Sequence, residues 1–66
     1  MPYMKVTPTM IRRVRKAAKL SQESSARLMN VSVFSWHSWE QGRRKMRPEL
    51  FDAFKAAVMR EKVLQA

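Results

Sequence analysis

The sequence predicts an all-α fold, a compact bundle of about five short helices. Apolar residues recur at helical spacing along most of the chain, and residues that favour helix starts precede these stretches. No Asn-Gly or Asp-Gly pair and no alternating apolar–polar run indicates a β-hairpin. Sixty-six residues suit one small core, so residues 1–66 are assigned to a single domain.

The first helix is predicted from its cap and from its apolar spacing. Residues 1–6 are expected to form an N-terminal arm without regular structure. Thr7 can cap the helix, and Pro8 suits its first turn. The apolar spacing continues to about Lys19, where we expect the helix to end. Basic side chains fill most of its other positions: Arg12, Arg13, Arg15, Lys16 and Lys19.

Two short helices follow, joined by a tight turn. Ser21 can cap helix 2, "QESSARLM", which ends at Asn30 because asparagine tolerates the left-handed conformation. Ser32 can cap helix 3, "VFSWHSWEQ", and Gly42 ends it.

Helix 3 has two opposed faces. At about 100° per residue, Trp36 and Trp39 share one face, which we expect to be buried. The opposite face is polar with one aromatic residue and comprises Phe34, His37, Ser38 and Gln41.

A basic loop and a final helix complete the chain. Residues 43–47, "RRKMR", carry four charges in five positions, and Pro48 opens helix 4. Phe51 and Phe54 follow its apolar stripe and are expected in the core. For residues 60–66 the sequence leaves open whether helix 4 continues, bends into a fifth helix or frays into a tail.

Charge indicates the class of partner. Fourteen Lys and Arg face five Asp and Glu, for a net charge of +9. This balance favours a nucleic-acid partner, because phosphate neutralisation releases counterions. The chain has no apolar run near the roughly 20 residues of a membrane span and no apolar core of a signal peptide, so we expect a cytoplasmic protein that does not bind membranes.

The sequence offers no catalytic or metal-binding constellation. With no cysteine and one histidine, neither a disulfide framework nor a metal site is expected. His37 lacks a carboxylate–nucleophile set, and the serines lack a base. We therefore expect that the protein is not an enzyme and that it binds no cofactor and no small-molecule ligand.

The turn between helices 2 and 3 meets the demands of a helix-turn-helix. Asn30 allows the tight turn, Val31 supplies an inward apolar residue, and Ala26 is small where the helices cross. Residues 20–50 resemble the Cro/C1-type (XRE-like) helix-turn-helix of phage repressors, and the chain most resembles a small phage Cro repressor. The family pattern is carried by Val14-Arg15, Leu20-Ser21-Gln22, Ala26, Asn30-Val31-Ser32, Trp36, Trp39-Glu40 and Gly42.

The resemblance implies a lambda-repressor-like DNA-binding domain and a role for each matching residue. Helix 3 would enter the major groove of a pseudo-palindromic operator as part of a transcriptional repressor in a bacterial host cell. The protein would be a weak homodimer, or a dimer that forms on double-stranded DNA. The implied base contacts are Val33, Phe34, His37 and Ser38. The implied phosphate contacts are Gln22, Ser35, Arg43, Arg44 and Lys45, and Arg15 with Glu40 would form a structural ion pair.

Some residues depart from the family pattern. Ser25 stands where the family usually carries Leu, and Trp36 where it usually carries a smaller Ile or Val. We hypothesise that the indole fills the space that the missing Leu leaves. Lys19 stands where a Gly often ends helix 1, which makes that boundary less certain.

Other interpretations stay open at this point. Phe34 either contacts thymine methyl groups or folds into a local cluster or a dimer contact. Residues 43–47 either clamp phosphates or are merely solvated, and Arg15 and Glu40 could be unrelated surface charges. The alternative functions are an antitoxin or adaptor whose main partner is a protein, and a nucleic-acid chaperone without sequence preference.

Overall fold

The computed structural model describes residues 5–65, and the side chains of residues 5–61. Residues 1–4 of the expected arm and Ala66 of the expected tail lie outside the described residues. Residues 5–7 have no regular structure. The helices are α1 (Pro8–Ala17), α2 (Gln22–Leu28), α3 (Val33–Gln41) and α4 (Pro48–Gln65). Within the described residues there is no strand, which confirms the all-α prediction.

The expected number of helices was wrong. The described residues form four helices rather than about five, because α4 continues without interruption from Pro48 to Gln65. No Pro or Gly follows Pro48, and this stretch is rich in the strong helix formers Ala, Leu, Met, Glu and Lys. Residues 60–65 therefore extend α4 instead of forming a tail or a separate helix.

Three hydroxyl caps start the first three helices at the predicted places. Each side-chain oxygen accepts a hydrogen bond from a first-turn amide that has no intrahelical partner. The pairs are Thr7 Oγ1 with Met10 N (3.2 Å), Ser21 Oγ with Ser24 N (2.9 Å) and Ser32 Oγ with Ser35 N (3.1 Å).

The same three helices end in left-handed residues. Lys19, Asn30 and Gly42 have φ of 59°, 57° and 80°. After each, the next N–H donates to a carbonyl five residues back, as in the Schellman motif: Leu20 to Arg15 (3.1 Å), Val31 to Ala26 (2.9 Å) and Arg43 to Ser38 (3.0 Å). Helix α1 thus ends at Ala17, two residues before the expected Lys19, because Lys19 itself forms the turn.

The core centres on Trp36, whose side chain is fully buried. Its ring meets Phe54 edge to face, with 4.8 Å between ring centroids and 70° between ring planes. Phe51 and Phe54 are both buried, as predicted. Val6 and Met46 join this core, so the segment before α1 and the basic loop are each fixed by one apolar side chain.

Ser25 is a buried polar residue in α2. It is 0 % exposed, and its Oγ has no hydrogen-bond partner among the described residues. A buried hydroxyl without a partner loses its hydration and gains nothing in return. The hydroxyl of Ser25 therefore costs stability at this position.

Candidate nucleic-acid interface

Phe34 is the most exposed feature of α3. It lies about 160° around the helix from buried Trp36, and 80 % of it is accessible to solvent. It does not fold back into a local cluster among the described residues. A large apolar side chain on the outward face of this helix is available to a partner surface.

The other residues implied as base contacts are less exposed. His37 and Ser38 are half-buried on the flanks of Phe34. Val33 is half-buried and packs against the core. Part of the Val33 side chain therefore already has a structural role.

Arg15 and Glu40 form a bidentate ion pair between α1 and α3. Arg15 Nε lies 2.6 Å from Glu40 Oε2, and Nη2 lies 3.0 Å from Oε1. Only 13 % of the Arg15 side chain and 3 % of the Glu40 side chain are exposed. The two residues are thus not unrelated surface charges.

Glu40 also accepts hydrogen bonds from its own helix and from α2. Trp36 Nε1 donates to Oε2 (2.6 Å) and Gln22 Nε2 donates to Oε1 (3.2 Å). Arg12 Nη1 donates to the backbone carbonyl of Glu40 (2.7 Å). The carboxylate of Glu40 therefore ties the C-terminal part of α3 to both α1 and α2.

These contacts decide the charge of Glu40. Burial alone raises the pKa of its carboxyl group, since the charged form loses hydration. The hydrogen bonds from Arg15, Trp36 and Gln22, together with the positive charge of Arg15, outweigh burial and lower the pKa below its ordinary value. Glu40 is ionised at neutral pH.

Gln22, implied as a phosphate contact, points partly inward. It is half-buried, and one of its amide hydrogens binds Glu40. A carboxamide has a second N–H, which leaves one donor for a phosphate. Sequence reasoning missed the bonds from Gln22 and Trp36 to Glu40. The i,i+4 spacing of Trp36 and Glu40 was a signal for one of them.

A groove of about 590 Å³ lies between α3, the basic loop and the start of α4. We call it the basic groove. Its walls combine exposed cations with apolar surface and contain one carboxylate. The lining residues are Ser35, Trp39, Arg44, Lys45, Arg47, Glu49, Leu50 and Ala53. The groove therefore carries a net positive charge, and Ser35 and Trp39 of α3 form part of its wall.

Buried Met46 and two backbone bonds position the loop that supplies these cations. Met46 is 3 % exposed, while the N–H groups of Arg43 and Arg44 both donate to the carbonyl of Ser38. Arg43 is exposed but does not line the groove. Arg47 does line it, although it was not among the implied phosphate contacts. The sequence shows that Arg47 belongs to the basic loop "RRKMR". It does not show which basic residues of the loop line the groove, because that depends on how buried Met46 anchors the loop.

Trp39 corrects one expectation. It was predicted to share the buried face with Trp36, and the rings do meet edge to face at 5.6 Å. However, Trp39 is only half-buried, because its other side lines the basic groove. A helical wheel gives the direction of the side chain but not the gap that α4 leaves beside it.

Residues 9–60 match the helix-turn-helix domain family. The chain belongs to this family. The match spans all of α1 to α3 except Pro8 and most of α4, and it supports DNA binding by this helix-turn-helix chain. No curated protein matches the chain significantly.

Metal-binding clusters and membrane-spanning helices are both absent from the described residues. No group of three or more His, Asp and Glu side chains there lies close enough to hold a metal ion. No helix there is long and apolar enough to cross a membrane.

Proposed function

We propose that this helix-turn-helix protein is a Cro-like transcriptional repressor that binds double-stranded DNA in a sequence-specific manner. The observation that supports it best is Phe34, which is 80 % exposed on the outward face of α3, the helix whose Ser35 and Trp39 line the basic groove. An exposed apolar side chain beside cations suits a surface where base methyl groups and phosphates occur together.

In this proposal α3 lies in the major groove. Phe34 contacts thymine methyl groups, and the hydroxyl of Ser38 and the imidazole of His37 contact polar base edges. Val33 contributes at the rim, where its half-buried side chain remains accessible. These contacts would carry the sequence preference.

Phosphate contacts position the helix without reading sequence. Arg44, Lys45 and Arg47 surround the basic groove, and the first-turn amides of α4 open near it, where an anion is favoured. Ser35, Arg43 and the second N–H of Gln22 would add contacts along the same strand. Glu49 opposes an anion and limits how deeply a phosphate can enter.

The ion pair of Arg15 with Glu40 supports base reading indirectly. Because Glu40 is bonded from α1, α2 and α3 itself, these bonds fix the orientation of α3 relative to α1 and α2. Base discrimination needs donors and apolar groups placed to within about 0.5 Å. In a protein with a small core, a buried carboxylate that bonds to three helices is one way to place α3 with this precision.

Operator recognition would use two copies of the chain. A pseudo-palindromic operator presents half-sites about 34–36 Å apart on one face of DNA, and each would take one α3. Occupancy of an operator that overlaps a promoter then excludes polymerase, a step that rests on the resemblance to Cro repressors.

The test begins with selection of bound duplexes from a random DNA pool, which supplies a specific site. Affinities of Phe34→Ala and Arg44→Ala are then measured on that site and on random duplex. Phe34→Ala should reduce discrimination between the two by about 1–3 kcal/mol. Arg44→Ala should weaken both alike and reduce the slope of log K against log salt by about one.

Met59→Ala is the matched control, since Met59 is the other large exposed hydrophobic, 66 % accessible on α4. It should leave both affinities unchanged. Equal losses on specific and random DNA for Phe34→Ala would rule out base reading by Phe34. Selection that returns no common sequence would rule out specific binding and favour the chaperone alternative.

One observation favours a second candidate, an antitoxin or adaptor with a protein partner. Beside the exposed Met59 of α4, the structure has a groove of about 320 Å³ between the turn that follows α1, helix α2 and α4. It is lined by Ala18, Leu20, Ser24, Arg27, Leu28, Val58 and Glu61. A partner held there by apolar contact would stay bound at high salt, whereas DNA binding should weaken steeply.

A further inference from the structure

A second group of cations lies on the outward side of α1 and in the turn that follows it. Arg13, Lys16 and Lys19 are all exposed, and we call them the outer basic face. Helix α1 has no acidic residue. Arg12 and Arg15, in contrast, turn inward and bind Glu40.

The fold does not use the charges of the outer basic face. All five acidic side chains of the chain lie within the described residues, and the ion pairs they form there are Arg15–Glu40 and Lys55–Asp52. No acidic side chain therefore pairs with the outer basic face. Neighbouring cations three residues apart on a helix repel each other and weaken it slightly.

Lys19 adds an independent observation. Its φ of 59° is a conformation that glycine adopts at much lower cost than lysine. The side chain is exposed and contributes nothing to the core. A lysine in this place retains positive charge at the expense of backbone strain.

Arg13 of the outer basic face and Phe34 lie on different helices. Arg13 lies about 160° around α1 from buried Ile11, and Phe34 lies about 160° around α3 from buried Trp36. Ile11 and Trp36 belong to one core, and α1 is joined to α3 through Glu40. Arg13 and Phe34 therefore each point away from the core that their two helices share.

The chemistry of the outer basic face suits phosphates better than protein or lipid. Its exposed neighbours, Thr9 and Ala17, are small, so it lacks the aromatic or aliphatic anchor that protein interfaces use. The apolar side of α1 is packed in the domain, so α1 cannot insert into a bilayer. Arg13 and Lys16 lie about 4.5 Å apart along the axis of α1, a length along which a duplex offers roughly three phosphate charges, and Lys19 adds a third cation in the turn that follows.

We propose that the outer basic face binds a second DNA duplex, so that one molecule bridges two DNA segments. The first segment is the one bound by α3, and in that respect the inference rests on the proposed function. The second contact is made to phosphates alone and carries no sequence preference.

A bead assay tests the bridge. The full chain is loaded at 0.15 M salt onto a biotinylated random-sequence duplex on streptavidin beads, and retention of a second, fluorescent duplex is measured after washing. The test variant combines Arg13→Gln, Lys16→Gln and Lys19→Gln. The control combines Arg27→Gln, Lys55→Gln and Arg60→Gln, which removes the same charge outside both faces.

Wild type and control should retain the second duplex, whereas the test variant should retain at least about tenfold less, as expected when several phosphate contacts are lost. Affinity for the bead-bound duplex should agree within about twofold between test variant and control, since the charge change is matched. Circular dichroism should show equal helix content, and removing like charges from α1 should not lower its melting temperature.

Three outcomes would overturn the bridge. Retention by the test variant equal to the control would show that the outer basic face is not used. A weaker first-duplex affinity with a salt slope lower by about three would show that these cations touch the same duplex. Retention of fluorescent polyglutamate but not of the second duplex would assign the face to an acidic protein. Failure of wild type to bind the first duplex would instead reject the proposed function.

Discussion

Glu40 connects α3 to α1 and α2 through its side chain. Its carboxylate is 3 % exposed and is satisfied by Arg15, Trp36 and Gln22. A buried ion pair gains little over an apolar pair of the same shape, but removing one partner strands the other charge. Glu40 therefore acts less as a source of net stability than as a constraint on how three helices meet.

Glu40→Gln should destabilise the fold by about 3 kcal/mol at pH 7, because it leaves the half-buried Arg15 guanidinium without a counter-charge. The pKa of Glu40 is lower in the folded protein than its ordinary value of about 4.3. Its ionised form thus stabilises the fold fully above that value, and the stabilisation is lost as the pH falls through the folded pKa. Urea unfolding between pH 7 and pH 3 measures both effects.

Glu61→Gln is the matched control, because Glu61 is exposed and forms no ion pair among the described residues. It should keep the stability and the acid profile of wild type. In Glu40→Gln the acid-dependent loss should be smaller than in wild type. An unchanged acid profile in Glu40→Gln would mean that other carboxylates cause the acid sensitivity.

At Ser25, in contrast to Glu40, a substitution should raise the stability of the fold. Ser25→Ala should stabilise the fold by about 1 kcal/mol, since it removes a buried hydroxyl without a partner and places a better helix former in α2. Ser25→Leu should destabilise it by about 1–3 kcal/mol if Trp36 already fills the space. Urea midpoints of both variants are compared with Ser24→Ala, a half-exposed neighbour that should change little. A gain in stability for Ser25→Leu would reject the compensation of Ser25 by Trp36.

At the scale of single residues, the sequence predicted the direction of a side chain correctly where that direction depends on one helix alone. The opposed placement of Trp36 and Phe34 follows from their separation on α3 alone. The half-burial of Trp39 and the inward bond of Gln22 depend on how α4 and α3 pack against their neighbours. Helical spacing contains no information about those distances.

At the scale of helices, the ends were predictable to the extent that one residue type controls them. Gly42 ends α3 and Asn30 forms the turn after α2, as expected, and the left-handed conformation expected for Asn30 is found in both. Lys19 does the same in α1 without any sequence signal, since lysine has no preference for that conformation. The continuation of α4 through Gln65 has no cap or breaker to announce it, so its length had to come from the structure.

Lys19→Gly should stabilise the fold by about 0.5–1 kcal/mol, because glycine adopts a φ of 59° without the steric penalty of a side chain. Part of the gain is offset by the greater freedom of glycine in the unfolded chain. Lys19→Ala removes the same charge but keeps the penalty, so it should gain much less. Urea unfolding of the two variants separates them. Equal gains would attribute the effect to relief of charge repulsion instead.

For the whole molecule, size and charge limit how two copies can share an operator. The Cα atoms extend 34 × 30 × 18 Å, close to the roughly 34 Å rise of one turn of DNA. Two copies centred on adjacent half-sites would therefore touch only along an edge. With a net charge of +9 on each copy, repulsion opposes such a contact in solution until phosphates neutralise it.

Because two copies would meet only along an edge, we expect the protein to be a monomer in solution at micromolar concentration. On DNA it should bind adjacent half-sites cooperatively. Sedimentation of the free chain and titration of a selected operator measure the two states. Inserting five base pairs, about half a helical turn, between the half-sites moves the second copy to the opposite face of DNA. That insertion should abolish cooperativity while leaving the affinity of each half-site unchanged. Persistent cooperativity across the insertion, or a dimer that survives dilution to nanomolar concentration, would contradict assembly on DNA, since an edge contact cannot sustain either.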